Sequence, residues 1–272
     1  MKKLNKGNTI PIFFTLPPQN IDYPYILINL NSFYEGYRYI KNHFKNIKKV
    51  IIDSGIEIFR NPLIKDYPID IEYKLTRQYR KIRDFVSNVW ITIPDYCDDY
   101  HPRNLWINDK ITNIERTVKN VVYYTSKYDF NWLIPIQGWY KDPESVFRCL
   151  KHYDILNILD AYNYFGVANL CVEPNIKIIR KTVINVRSIL SKKQKIHIFG
   201  LKIKALKYIS HLIDSFDSMA WTRPVDSSIK KYFIDRKNRS VRATIKINGK
   251  EMRKIYFLKY LKTLSRYNVT IL

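Results

Sequence analysis

Short apolar, β-branched runs alternate along the chain with longer stretches in which apolar residues recur every three to four positions. This alternation is the mark of βα units around a parallel sheet. The runs Ile10–Leu16, Tyr25–Leu30, Val50–Ser54, Trp90–Asp95, Trp132–Gln137, Gly166–Leu170, His197–Leu201 and Ser218–Thr222 predict eight strands. Eight such units predict an α/β fold, a (β/α)8 TIM-type barrel built as a single domain over residues 1–272, with its motif-bearing core at about 24–224. Between the strands, Ile71, Leu75, Ile82 and Phe85 form one helical face, and Ile111, Ile114, Val118 and Val122 form another. Asp142-Pro143-Glu144 reads as a helix start, with a capping carboxylate, proline in the first turn and an acid near the positive end of the dipole. Apolar series through Ile179, Val183, Val186 and Leu190, and through Ile203, Leu206 and Ile209, complete the outer layer. A basic C-terminal segment, 225–272, ends in a helix expected over Glu251–Arg266 with Ile255, Leu258, Leu261 and Leu264 on it, closing the barrel.

Charge changes this picture by adding a partner. The chain has 47 Lys and Arg against 24 Asp and Glu, a formal charge of +23 spread over its whole length. Lys and Arg gain affinity for a polyanion by releasing its counterions, so a nucleic-acid partner is expected. An AT-rich coding sequence would also raise Lys, Ile, Asn and Tyr, but it would not leave acids so scarce. The three cysteines, Cys97, Cys149 and Cys171, have no CxxC spacing, which predicts neither a disulfide framework nor a cysteine zinc site. The first apolar run is interrupted by Pro11, Pro17 and Pro18, unlike a secretion signal, and no run reaches the length of a membrane span. A cytoplasmic protein with no membrane partner is expected.

Polar residues close the apolar runs where a barrel keeps its chemistry, at the carboxyl ends of strands. Asp53-Ser54-Gly55 follows Val50–Ile52, Pro94-Asp95 follows Trp90–Ile93, Gln137-Gly138 follows Ile134–Ile136, and Gly200 follows His197–Phe199. At these positions the chain resembles the tRNA-guanine transglycosylase superfamily. Asp53-Ser54-Gly55 with Phe59 is similar to the family's aspartate-serine-glycine-glycine-phenylalanine motif. Asp214-Ser215-Phe216-Asp217, followed by Thr222-Arg223, resembles its nucleophile segment. Ile136-Gln137-Gly138 resembles the base-recognising Gln-Gly, Pro94-Asp95 the base-binding aspartate, and Gly166-Val167-Ala168 the small-residue loop beneath the base.

The likeness departs from the family in two places. Ile56 stands where the second glycine belongs, and no cysteine follows Asp217, so the family's zinc site is missing and no cofactor is expected. A divergent member is implied, similar to the deazapurine DNA transglycosylases of phages and genomic islands, in a chain too compact for the extra RNA-binding domains of archaeal tRNA enzymes.

The resemblance implies base exchange, with guanine in a nucleic acid replaced by a free 7-deazaguanine such as preQ0. Asp217 is the implied nucleophile and Asp53 the general acid and base. Asp95 would take guanine's N1–H and N2–H, and Gln137 its O6 or N7 edge. Gly138, Gly166, Val167 and Gly200 would line the base, while Tyr96, Tyr100, Tyr164 and Trp221 are candidates to hold an extruded nucleotide. Arg60, Lys202 and Arg223 are candidate phosphate contacts, with a solvated surface role the preferred reading for the first two. Asp214 competes with Asp217, Asp98 and Asp99 with Asp95, and Asp53 can also be read as a turn residue. DNA is the expected substrate, tRNA the alternative, and a non-catalytic barrel that binds nucleic acid or a deazapurine the third; helper proteins stay open.

Overall fold

The computed structural model of the chain describes residues 10–61, 63–98, 111–222 and 249–271. Eight parallel strands form a nearly closed barrel: β1 (Ile12–Phe14), β2 (Tyr25–Asn29), β3 (Lys49–Asp53), β4 (Val89–Thr92), β5 (Trp132–Ile136), β6 (Tyr164–Val167), β7 (Lys195–Ile198) and β8 (Ser215–Asp217). From β2 to β8 each strand pairs with its neighbour in sequence, β8 pairs with β1, and a bridge from Thr15 to Ile26 draws β1 to β2. Helices α1 (Phe33–His43), α2 (Ile71–Arg83), α3 (Asn113–Lys127), α4 (Val146–Ile155), α5 (Ile158–Ala161), α6 (Ile176–Ile189) and α7 (Leu206–Ile209) follow β2 to β7, with α4 and α5 both after β5. The (β/α)8 TIM-type expectation is met.

Strand parity assigns each side chain a layer. Successive residues of a strand point to opposite faces, so Val50 and Ile52 of β3 join the core beneath the helices while Ile51 joins the barrel interior. The same rule turns Leu27, Leu133, Tyr164 and Phe199 inward and Ile26, Ile28, Ile134, Phe165 and Ile198 outward. Lys49 and Asp53 share the inward parity of Ile51. So do Ser215 and Asp217 of β8, because Phe216 between them belongs to the outer core.

Four sequence expectations shift. The eighth strand is Ser215–Asp217 and not Ser218–Thr222, which forms a loop and a 3-10 turn, so Asp217 ends a strand and does not precede one. Asp142-Pro143-Glu144 forms a turn ahead of α4: the Asp142 carboxylate accepts from Glu144 N–H at 3.0 Å, and the Ser145 hydroxyl donates to Asp142 C=O. In α3, which starts at a Thr112–Glu115 capping box, the buried stripe runs through Ile114, Val118 and Val121 and leaves Val122 exposed, because Val121 returns to the helix face of Ile114 and Val122 is turned past it. The C-terminal helix α8 (Gly249–Ser265) buries Phe257, Leu261 and Leu264 and exposes Ile255 and Leu258. Its Phe257 meets Trp221 and Tyr23 edge-on, and the following Thr270 bonds the β1 flank, so the helix covers the β8–β1 seam.

One buried cation stands inside the barrel. The Lys49 ammonium lies 3.9 Å from the Tyr164 ring centre and 4.8 Å from that of Trp90. Burial pushes its pKa down to about 7, helped by Lys195 and opposed by Asp214. Unfolding returns it to the ordinary lysine range near 10.4. Between those values the unfolded chain holds a proton that the folded chain lacks, so this residue makes stability rise with pH. Lys49→Met is therefore expected to melt higher than the parent at pH 6, with the gain shrinking toward pH 10. A lower melting temperature for the variant at pH 6 would contradict this account.

Candidate active site

A cavity of about 550 Å³ opens at the carboxyl ends of the strands. Leu16, Leu27, Ile56, Ala168, Phe199 and Met219 supply apolar wall, and Asp53, Glu57, Asp95 and Asp217 bring carboxyl groups to it. This size and this mixture, mostly apolar with a few convergent polar groups, suit a small-molecule ligand.

Asp53 enters from the end of β3, paired in register with Asn29 of β2. The Asn29 side-chain oxygen accepts from Asn31 N–H at 2.8 Å, which turns its amide nitrogen toward the carboxylates. That nitrogen donates to Asp53 Oδ2 at 3.0 Å and to Glu57 at 2.6–2.7 Å. Desolvation is the main cause of an Asp53 pKa well above the carboxylate range, and Glu57, Asp95 and Asp217 add to it. The turn after Asp53 depends on glycine. Gly55 has φ +83°, and a Cβ there would come within 2.8 Å of the Asn31 amide.

Asp217 ends β8 with one oxygen anchored from below and behind. Its Oδ1 accepts from Gly200 N–H at 3.0 Å and lies 3.3 Å from His197 Nε2. His197 is fully buried, and its Nδ1 is 2.9 Å from Ser215 Oγ, itself 2.6 Å from the Tyr164 hydroxyl. The carboxylate accepts only, so the proton roles follow in order. Nε2 carries the imidazole proton, Nδ1 accepts from Ser215, and Ser215 accepts from Tyr164. Burial lowers the His197 pKa against the opposing pull of Asp217, which keeps the ring neutral.

Asp95 is buried and already engaged. Its carboxylate accepts from Ser54 Oγ at 3.0 Å and from Gln137 Nε2 at 2.5 Å, and burial pushes its pKa up to about 7 against these two donors. Tyr67 donates to its backbone carbonyl at 2.9 Å.

The expected residues thus divide. Asp53, Asp95, Asp217, Gly200, Lys202 and Arg60 all border the one cavity. Gln137 reaches Asp95 and does not line the cavity, and its Oε1 is buried without a partner. Gly138 makes room for Asn169 and Ser145, and Gly166 for the Phe199 ring, 2.4 Å from where its Cβ would stand; neither borders the cavity. Val167 belongs to the outer core by strand parity, and its neighbour Ala168 takes the cavity position instead. Lys202 donates to Cys171 C=O at 2.8 Å.

Of the expected aromatic grips, Tyr96, Tyr164 and Trp221 are not open to a nucleotide. Tyr164 lies deep in the barrel, Trp221 donates to Thr15 at 3.0 Å, and Tyr96 packs against Phe59 and Tyr67. Asp214 points away, pairing with Arg187 at 3.0 Å and accepting from Ile196 N–H. Asp98 accepts from Asn113 at 2.7 Å. Asp99, Tyr100 and Arg223 lie outside the described residues. Among the described residues no group of three or more His, Cys, Asp or Glu side chains is arranged to hold a metal, and no helix is long and apolar enough to cross a membrane.

Asn29, Glu57 and His197 escaped the sequence reading. His197 had a usable signal: it breaks an apolar run at the same parity as Phe199. No protein-family model matches the chain, and no curated protein matches it.

Two outcomes test this geometry. Ionising Asp95 costs the folded state, because its folded pKa of about 7 exceeds the unfolded value near 3.9. That cost is absent below pH 4 and complete above about 7. Asp95→Asn is expected to melt higher than the parent at pH 8 but not at pH 4, Gln137 offering its unpartnered Oε1 to the new amide. Equal melting shifts at both pH values would refute the buried charge. For His197, nitrogen NMR should report a neutral Nε2–H tautomer at pH 7 and above, and an imidazolium signal at pH 7 would reverse the proton assignment.

Proposed function

We propose that this barrel is a base-exchange transglycosylase of the tRNA-guanine transglycosylase superfamily, a pentosyltransferase that replaces guanine in nucleic acid, DNA by preference, with a 7-deazaguanine such as preQ0. One observation carries the reading: Asp53 and Asp217, 164 residues apart in sequence, border one cavity with Asp95 between the same walls. A binding module needs neither of the first two carboxyl groups.

The chemistry divides a difficult displacement into two easier ones. Asp217 attacks the sugar C1′ through Oδ2, Oδ1 being held by His197 and Gly200. The C1′–N9 bond breaks, its electron pair leaves with guanine, and Asp53 supplies the proton. A raised pKa equips Asp53 for this, since it holds its proton where an ordinary carboxyl group has lost it. The incoming 7-deazaguanine then gives its N9 proton to Asp53 as N9 attacks C1′ and releases Asp217. Two displacements at one carbon retain configuration.

Asp95 accepts the paired N1–H and N2–H donors of guanine, trading its present bonds to Ser54 and Gln137 for the base. Arg60 and Lys202 at the cavity wall meet phosphate. DNA is favoured over tRNA because the stretch from Asp217 to Leu272 holds no cysteine to build the zinc site of the tRNA enzymes.

Purified protein incubated with a 7-deazaguanine and, in parallel, with DNA or tRNA is expected to incorporate the base into DNA, read by nucleoside mass spectrometry. Asp217→Asn should lower incorporation by at least about 10³-fold, the scale on which loss of a nucleophile is felt. Undiminished incorporation by that variant would remove Asp217 from its role, and incorporation into tRNA alone would change the substrate.

A further inference from the structure

A second cleft, of about 380 Å³, lies beside the cavity between α1 and α2. The two are neighbours through a thin wall: Asn31 lines both, and its amide donates to Gly55 C=O at 3.1 Å, immediately after Asp53 and Ser54. Lys74, Arg77 and Lys81 line the cleft from α2. Their i, i+3, i+7 spacing sets them on one helix face, over about 10 Å of axis.

Tyr34 and Tyr73, also lining it, are 85% and 62% exposed, an unusual state for large aromatic side chains. The Arg77 guanidinium stands 5.8 Å from the Tyr73 ring centre. Lys74 is held only by Asp70, in a pair with both side chains about half exposed, which a phosphate can replace at little cost. Gln78 Oε1, on the same helix and also at the cleft, is buried without a partner.

We propose that this cleft binds the single-stranded nucleic acid adjoining the nucleotide that enters the cavity, with bases stacked on Tyr34 and Tyr73 and backbone phosphates on Lys74, Arg77 and Lys81. The inference rests on the transglycosylase reading only for what the neighbouring cavity does. A cationic face alone would suit any polyanion; the exposed tyrosines add stacking, which is how single strands are gripped without regard to sequence. The cleft's position sets the strand's path, since a strand whose target nucleotide reaches Asp217 continues over the Asn31–Gly55 wall.

The test is fluorescence anisotropy with a labelled single-stranded DNA of mixed sequence, across a salt series, on the full chain. Lys74→Gln/Arg77→Gln/Lys81→Gln should weaken binding at least about tenfold and lower the salt slope by about 2, three phosphate contacts at roughly 0.7 each. Tyr34→Ala/Tyr73→Ala should weaken DNA binding about tenfold or more without changing the salt slope. The control removes the same charge elsewhere, Lys177→Gln/Arg180→Gln/Lys181→Gln on α6. A loss in the control equal to that of the α2 triple overturns the proposal, as does DNA binding indifferent to the tyrosines. Polyglutamate binding that falls with the tyrosine pair overturns it too, because stacking has no part there. Cleft-dependent binding without base exchange sinks the transglycosylase reading and leaves the cleft standing; exchange with cleft-independent binding does the reverse.

Discussion

Carboxyl groups that converge in the mouth of a barrel repel one another and lose water together, and much of the local structure answers that cost. Burial and mutual repulsion raise the Asp53 and Asp95 carboxyls above their ordinary range. The donors around them are fixed in place before any substrate arrives. Asn29 is turned by the Asn31 backbone, Gln137 and Ser54 converge on Asp95, and His197 with Gly200 holds one oxygen of Asp217. Such pre-set polar groups cost folding stability, because the burial that raises the carboxyl pKa values is only partly offset by the donors aimed at them.

The interior beneath the mouth divides this burden. A one-way hydrogen-bond chain from Tyr164 through Ser215 and His197 ends on Asp217, so the only acceptor without a proton of its own terminates it. Lys49 lies lower still, against the ring faces of Tyr164 and Trp90. Aromatic faces carry negative charge density and favour a cation, which works against desolvation at that depth. Polar and ionic groups therefore run down through a barrel whose remaining interior, Phe14, Leu27, Ile51 and Leu133, is apolar.

Outside the barrel, cations are arranged on helices and loops, where water solvates them at little cost. Lys49 apart, the charged groups that reach the barrel mouth from the strand ends are carboxyls, Asp53, Asp95 and Asp217.

The sequence by itself determined the barrel and placed Asp53 and Asp95 at its mouth, while Glu57 was not legible in it. Strand periodicity is local, since alternation along β3 already makes Asp53 an inward residue once Ile51 is inward, and hydrophobic runs fix which residues are strands to within a few positions. Chain order placed Asp53, Asp95 and Gly200 after their strands for the same reason. Only the tertiary structure decided what is set by contacts between distant segments. The eighth strand is Ser215–Asp217 because it pairs with Ile12–Phe14, 203 residues away, and no local propensity distinguishes it from the apolar stretch that follows. Gly166 yields to Phe199, Gln137 turns to Asp95, and His197 meets Asp217, because parallel neighbours bring separate runs side by side. Those pairings depend on register across the sheet, which periodicity within one strand does not contain.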